Sequence, residues 1–187
     1  VNSINSFATK KIIFFYSSSS HVYSYSNKKV KENSNLKPIN EYGKQKRYAE
    51  NILLKKLSNE HLLIIGRIFN FYNKNSNKSY FINSIKNKIK KNKTIKIKDG
   101  YRNFTSVSEI GKSIIKLIKA NKKGLYNISC NKKIKLSEII NFLIYNYKKG
   151  KLIIESNNLK NSLFADTNKI NSFGIYLKPL KLNDILK

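Results

Sequence analysis

A serine, a tyrosine and a lysine are the residues of this chain whose types and spacing could do acid–base chemistry. Tyr42 is followed by Lys46 four residues later, and Ser19 lies in a serine run 23 residues before Tyr42. Residues four apart share a helix face, so Lys46 can place a positive charge beside the Tyr42 phenol. That charge favours the ionised phenol and makes Tyr42 a usable general acid or base. Ser19 could hydrogen-bond the reacting oxygen and fix its position.

The spacing of Tyr42 and Lys46 is not specific by itself, because the chain is rich in lysine. Tyr25, Tyr145 and Tyr147 are also followed by a lysine four residues later. Tyr25 lies in a polar segment, and the other two lie at the trailing end of a predicted helix. Only Tyr42 opens a predicted helix after a strand that ends in serines, so its context favours a catalytic role.

Apolar periodicity predicts that strands and helices alternate along the chain. Predicted strands are 10–16, 61–69, 94–98, 101–107, 124–129 and 152–155, and predicted helices are 42–58, 78–91, 108–120 and 136–147, with a final turn near 182–186. Ser108 and Ser137 are the predicted N-caps of the last two helices. This alternation predicts an α/β fold with a mostly parallel sheet. The carboxyl ends of strands in such a sheet face the ligand crevice, so Ser19 and Tyr42 are expected to converge there.

The formal charge of +28 invites a nucleic-acid interpretation. We discount it because only Arg47, Arg67 and Arg102 are arginines, and the guanidinium fork favoured for phosphate and base recognition is nearly absent. The lysines are dispersed, although 84–98 is dense in them. Most of the charge is therefore interpreted as solvated surface.

Cysteine, histidine and apolar content exclude several other classes of protein. The single cysteine, Cys130, rules out an internal disulfide framework and is typical of a reducing cytosol. His21 and His61 stand apart without ligand spacing, so no metal site is predicted. The sequence has no run of 18 apolar residues, so no membrane span is predicted. A cytoplasmic location is predicted.

Six segments in chain order carry a family resemblance. "FFYSSSSHVYS" resembles a strand, serine cluster and "VYG", and "EYGKQKRYAENIL" resembles a "YGxSKxxxE" helix. "IIGRIFNFYN", "GYRNFTSVSEIGKSI", "GLYNIS" followed by "KLSEII", and "FADTNKINSFGIYLKPLKLNDIL" follow in the family's order. Together they resemble the extended short-chain dehydrogenases/reductases, the NAD-dependent nucleotide-sugar epimerase/dehydratase family.

The resemblance implies a Rossmann-like, doubly wound sheet with a small substrate-binding lobe. Residues 1–72 would form the second half of the dinucleotide-binding domain, and 73–187 the lobe interleaved with the last strands. It also implies NAD or NADP as cofactor, a nucleotide-sugar substrate and a homodimer.

The resemblance also implies roles for single residues. Ser19, Tyr42 and Lys46 match the catalytic residues, with Tyr42 and Lys46 also contacting the cofactor. Asn70 and Arg102 match positions that contact the substrate's sugar or diphosphate, and Ser19 contacts the substrate as well. An arginine suits a phosphate partner chemically.

Two departures from the family pattern qualify the expected activity. The sequence has no G-x-x-G-x-x-G loop for the cofactor pyrophosphate, so the glycine-rich half of the domain is expected to precede Val1. Ser20 and His21 stand where dehydratases carry an acidic pair, which favours an epimerase or a ketoreductase. His21 could itself act as an acid or base near neutral pH, although a loop histidine more often has no catalytic role.

Two other functions stay open from the sequence. A non-catalytic relative would bind a nucleotide or a partner without turnover, as the missing glycine-rich loop suggests. A basic RNA-binding α/β domain would bind polyanions with a steep salt dependence. The retained Ser19, Tyr42 and Lys46 favour the enzyme over both.

Overall fold

The computed structural model describes residues 1–7, 11–57, 59, 61–75, 77, 79–156 and 159–186. Its strands are β1 (Ile13–Ser19), β2 (Leu62–Ile68), β3 (Phe71–Tyr72), β4 (Thr94–Lys98), β5 (Tyr101–Asn103), β6 (Thr105–Ser106), β7 (Gly124–Ile128), β8 (Lys133–Lys135) and β9 (Lys151–Ser156). Its α-helices are α1 (Asn2–Phe7), α2 (Glu41–Lys56), α3 (Phe81–Lys90), α4 (Val107–Lys119), α5 (Leu136–Tyr147) and α6 (Asn168–Asn171). Single 3₁₀ turns occupy Ser20–Val22, Leu159–Asn161 and Leu182–Ile185.

A parallel sheet of three strands, in the order β1-β2-β7, organises the fold. Its register sets Ser19 opposite Ile68, and Ile68 opposite Ile128, so the three carboxyl ends lie at one level. Because parallel strands need crossover connections, α2 follows β1 and α4 precedes β7. The prediction of a Rossmann-like α/β fold with a mostly parallel sheet is confirmed, although β5 and β8 pair antiparallel.

Apolar side chains bury the sheet and a neighbouring layer. Ile64, Tyr126 and Ile128 of the sheet pack with Ile110 and Leu117 of α4. A second cluster joins the apolar stripes of α3 and α5 with β4: Ile82, Ile85, Ile89, Ile95, Ile139, Ile140 and Leu143. Each such side chain contributes about 1.5–3 kcal/mol when fully buried. The domain boundary at residue 72 stays a prediction.

Several predicted boundaries need correction. β1 continues through the serines to Ser19, because these residues keep pairing with β2. The predicted strand 101–107 is two short strands, β5 and β6, and α4 already begins at Val107. Lys10 of the first predicted strand, Ser58 of the first predicted helix and Lys78 of the second lie outside the described residues.

Both predicted N-caps were wrong. Ser106, not Ser108, caps α4, since its Oγ accepts a hydrogen bond from the Glu109 N–H at 3.3 Å. Ser137 lies inside α5, whose N-cap position is Lys135. The Ser137 hydroxyl instead donates to the buried Asp99 carboxylate at 2.6 Å. The Ser137 hydroxyl therefore binds Asp99, which is distant in sequence, instead of the backbone at the start of α5.

Candidate active site

Tyr42 is held at the start of α2 by a side-chain cap. The Asn40 Oδ1 accepts a hydrogen bond from the Gly43 N–H at 2.8 Å, which satisfies one of the open donors of the first helical turn. The helix begins one residue before the predicted start, so Tyr42 is its second residue and lies in the first turn as predicted; the residue is 49% exposed. Its phenol can therefore reach a ligand.

A cavity of about 550 Å³ opens at the carboxyl ends of β1 and β2. Ser19, Tyr42 and Asn70 all line it, so the structure brings these three predicted site residues together. Ser19 is 7% exposed, and its Oγ accepts a hydrogen bond from the His21 N–H at 3.2 Å. Its own O–H stays available to donate to an oxygen atom in the cavity.

Lys46 lies on the same face of α2 as Tyr42, one turn further along. Its ammonium donates to the Ser17 carbonyl oxygen at 2.8 Å. The Nζ atom is also 5.1 Å from the centroid of the Tyr16 ring and 5.7 Å from that of Tyr42. The positive charge is thus fixed between β1 and the two phenols, where it favours a negative charge on a nearby oxygen.

Arg102 does not line this cavity. Its Nη1 donates to the carbonyl oxygens of Tyr101 at 2.9 Å and Asn161 at 2.6 Å, and its guanidinium lies 5.2 Å from the Tyr25 ring centroid. Burial lowers the pKa of Arg102, although Tyr25 acts in the opposite direction. Its contact to Asn161 joins β5 to the segment after β9, whereas the contact to Tyr101 lies within β5.

Aromatic and aliphatic side chains form an apolar wall of the cavity. These apolar lining residues are Ile68, Phe69, Phe71, Tyr80, Phe81, Phe104, Val107 and Ile110. Within the described part of the chain, no lysine or arginine lines the cavity. Sequence reasoning missed this wall, since its members come from three separate stretches, 68–71, 80–81 and 104–110, and have no common periodicity.

A buried ion pair supports β1, β2 and α2 behind the cavity. Glu50 and Arg67 are 0% and 1% exposed, and their two contacts, Nε to Oε1 and Nη2 to Oε2, measure 2.9 and 2.8 Å. Ser18 Oγ also donates to Glu50 Oε1 at 2.6 Å. Arg67 Nη1 donates to the Tyr23 hydroxyl, which in turn donates to Asn127 Oδ1 at 2.7 Å. The network ties three elements that carry site residues.

The network also sets the protonation of its members. Burial alone would raise the pKa of Glu50, but the hydrogen bonds from Arg67 and Ser18 outweigh it and hold that pKa below its ordinary value. Burial raises the pKa of Tyr23 to about 12, against the influence of Arg67. The sequence did signal this pair weakly, since Arg67 is a charged residue inside the apolar run of β2.

Gly43 lets α2 approach the turn that follows β1, and this contact carries a prediction. An added Cβ would overlap the His21 carbonyl oxygen and lie 2.8 Å from its carbonyl carbon. Both atoms are backbone, so neither can move away cheaply. We expect Gly43→Ala to lower the free energy of unfolding by about 1–3 kcal/mol, measured by urea unfolding.

Gly111→Ala is the matched control for that measurement. Gly111 also lies inside a helix, α4, but nothing lies within 4 Å of an added Cβ there. Alanine should raise stability at this position by about 0.5–1 kcal/mol, as in an ordinary helix. Equal gains at both glycines would contradict the close contact between α2 and His21.

Neither a metal site nor a membrane-spanning helix is found among the described residues. No group of three or more His, Cys, Asp or Glu side chains there could hold a metal ion. No helix among them is both long and apolar enough to cross a membrane.

Comparison with known proteins places this geometry in a family. The family model described as GDP-mannose 4,6 dehydratase matches residues 1–172. No curated protein sequence matches the chain significantly.

Solved structures of low sequence identity share the fold. MoeE5 in complex with UDP-glucuronic acid and NAD superposes with a TM-score of 0.82 at 17% identity, covering 99% of this chain and 65% of that one. UDP-glucuronic acid 4-epimerase from Bacillus cereus gives 0.80 at 20% identity, with 93% and 59% covered. RMD from Pseudomonas aeruginosa, complexed with NADPH, gives 0.81 at 18% identity, with 99% and 66% covered. The chain thus spans less than two thirds of the length of these structures.

The family match over most of the chain and the shared Rossmann-like fold agree with the resemblance found in the sequence. The chain belongs to the NAD-dependent epimerase/dehydratase family of short-chain dehydrogenases/reductases.

Proposed function

We propose that this chain carries the catalytic and substrate-binding part of an NAD(P)-dependent nucleotide-sugar epimerase or ketoreductase. One observation carries the proposal: Ser19, Tyr42 and Asn70 line a single cavity, and the Lys46 ammonium lies 5.7 Å from the Tyr42 ring centroid. This combination supplies a proton-transfer group, a nearby positive charge and a hydrogen-bond donor at one place.

Tyr42, Lys46 and Ser19 would each have a separate role in the oxidation and reduction of one sugar carbon. The Tyr42 phenolate takes the proton of the sugar hydroxyl as the carbonyl forms, and returns it when the carbonyl is reduced. Lys46 stabilises the phenolate, since the two groups are close and share a helix face. The Ser19 O–H donates to the same sugar oxygen and keeps it in line with Tyr42. A bound nicotinamide would accept the hydride from that carbon and return it.

The residues present fit part of such a cofactor. The Tyr42 hydroxyl and the Lys46 ammonium, beside the cavity, are suitable donors for the hydroxyls of a nicotinamide ribose. The sequence given holds no glycine-rich loop for the pyrophosphate. We therefore assign Tyr42 and Lys46 to the ribose and no residue of this sequence to the pyrophosphate.

The neighbours in fold suggest the class of substrate. MoeE5 and the Bacillus cereus epimerase were both solved with UDP-glucuronic acid and NAD. By this analogy the sugar of a nucleotide sugar would enter the cavity, with Asn70 as a polar contact. Since no lysine or arginine among the described residues lines the cavity, the diphosphate would lie outside it. Arg102 keeps its proposed role in binding the diphosphate through Nη2, since the contacts to Tyr101 and Asn161 use Nη1 alone.

The reaction proposed is epimerisation or ketoreduction rather than loss of water. Ser20 and His21 line the cavity where a dehydratase would have its acidic pair, and neither can supply that pair of carboxyl groups. We also propose a cytoplasmic homodimer that uses α2, whose Tyr48 and Leu54 are 69% and 49% exposed.

The test is turnover by the full natural chain that contains this sequence. We would incubate it with UDP-glucose or UDP-glucuronic acid and NAD or NADP, and separately with a nucleotide keto sugar and NADH or NADPH, and identify the sugar products by NMR. An epimer or a reduced keto sugar is expected. A 4-keto-6-deoxy sugar would overturn the choice of reaction. Binding of nucleotide sugar without any product would favour the non-catalytic relative.

A further inference from the structure

His21 lines the cavity and is joined to the start of α2 through its side chain. Its Nδ1 lies 3.0 Å from the Asn40 Nδ2, and its ring packs edge-on against Tyr42 with centroids 5.7 Å apart. The His21 carbonyl oxygen also accepts a hydrogen bond from the Ile39 N–H at 3.1 Å. His21 and Tyr42 are therefore fixed relative to each other by the same few residues.

The N-cap decides which way the Asn40 amide faces. Its Oδ1 accepts from the Gly43 N–H at 2.8 Å, and a nitrogen at that place would face another donor. The Nδ2 group must then point to His21, as it does, and donate to Nδ1. A ring nitrogen that accepts carries no hydrogen, so the neutral His21 ring has its hydrogen on Nε2.

The surroundings also keep this ring uncharged. Burial lowers the pKa of His21, and the positive charge of Arg102 acts in the same direction. An Asn40 amide turned over would accept from an Nδ1–H and raise that pKa, but the cap opposes this orientation. The groups that face His21 are thus a neutral amide, the Tyr42 phenol and the Arg102 guanidinium.

The hydrogen on Nε2 is left for a ligand. Within the described residues, the ring's hydrogen bond is the one at Nδ1, and Nε2 has no partner. We propose that His21 is a substrate-binding residue: Asn40 holds its ring in the Nε2–H form, and that N–H donates to an oxygen of the sugar beside the one that Tyr42 deprotonates. This inference rests on the proposed function, and it gives His21 a neutral donor role rather than an acid–base role.

The first test is NMR of the imidazole nitrogens, which needs no substrate. The sequence has two histidines, His21 and His61. The set of signals that disappears in His21→Gln therefore belongs to His21. The expected result is an Nε2–H ring at pH 7 that becomes protonated at a pH below the ordinary value of 6.5. A ring with its hydrogen on Nδ1, or one that is charged at pH 7, would overturn the proposal.

Two substitutions of Asn40 separate the ring contact from the helix cap. Aspartate and serine both cap helices well, so α2 should persist in either variant. Asn40→Asp replaces the donor by a carboxylate that accepts from Nδ1–H, so we expect a raised pKa for His21 and a switch of the neutral ring to the Nδ1–H form. Asn40→Ser should remove the preference of the neutral His21 ring for the Nε2–H form without creating a preference for the Nδ1–H form. An unchanged ring form in Asn40→Asp would contradict the role of Asn40.

Kinetics of His21 variants test the contact with the sugar. Glutamine can place an amide N–H near the position of Nε2, whereas alanine cannot donate. We expect kcat/KM to fall about threefold to tenfold in His21→Ala and to be largely kept in His21→Gln. Because the protonated ring keeps its hydrogen on Nε2, kcat/KM should depend on pH similarly in His21→Gln and in the unmodified chain, whereas an acid–base role of His21 would make the two pH profiles differ.

The outcomes distinguish this inference from the proposed function. Equal turnover in His21→Ala and the unmodified chain would contradict the donor role alone. If the unmodified chain turns nothing over, the dissociation constants of UDP-glucose and UDP-glucuronic acid give the same comparison by calorimetry. Absence of both turnover and binding would contradict the donor role together with the proposed function.

Discussion

Arg67→Ala is expected to lower the free energy of unfolding by about 3–5 kcal/mol, the usual cost of removing one partner of a buried ion pair. The substitution would leave the Glu50 carboxylate, which is 0% exposed, without the two guanidinium contacts at 2.8 and 2.9 Å. It would also remove the donor to the Tyr23 hydroxyl. Urea unfolding followed by circular dichroism measures the loss.

Arg47→Ala is the matched control for Arg67. Arg47 also contacts Glu50, with Nη1 3.2 Å from Oε2, but its side chain is 32% exposed. Because solvent screens such a pair, we expect a loss below about 1 kcal/mol. Similar losses for the two arginines would contradict the central place of Arg67 in the network.

The same pair predicts how stability depends on pH. The pKa of Glu50 in the folded chain is lower than its ordinary value of 4.5, so the folded state favours the carboxylate. This contribution is complete above pH 4.5 and is lost as the pH falls through the lowered pKa. Glu50→Gln should flatten that acid loss, which unfolding curves at several acidic pH values would reveal.

Tyr42→Phe is expected to lower kcat by about 100-fold to 10,000-fold, the range typical of a general acid–base group. Phenylalanine keeps the ring that packs against His21 and faces Lys46, but it has no hydroxyl to exchange a proton with the sugar. Stability should change little, since Tyr42 is half exposed. Turnover of the nucleotide sugar identified in the product assay is the measurement.

Tyr145→Phe is the control for that substitution. Tyr145 is also followed by a lysine four residues later, but it is 82% exposed and is not among the residues that line the cavity. Its removal should leave turnover unchanged. If Tyr42→Phe retained full activity, the proposed chemistry at Tyr42 would be wrong.

The sequence by itself determined the elements that hold the site. Apolar periodicity predicted β2, α2 and α5 within a few residues, because buried faces impose a repeat that neighbouring residues reveal. The spacing of Tyr42 and Lys46 had the same local origin, since one helix turn brings them together. The family resemblance rested on motifs of this kind.

Only the tertiary structure decided which polar groups meet. Glu50 and Arg67 are 17 residues apart, and Arg102 and Asn161 are 59 apart, so no local pattern joins them. The same holds for His21 and Asn40, 19 residues apart, and for Ser137, which bonds Asp99 instead of capping α5. A polar group takes whichever partner lies in reach once the strands and helices have packed, because leaving it unpaired inside the protein is costly.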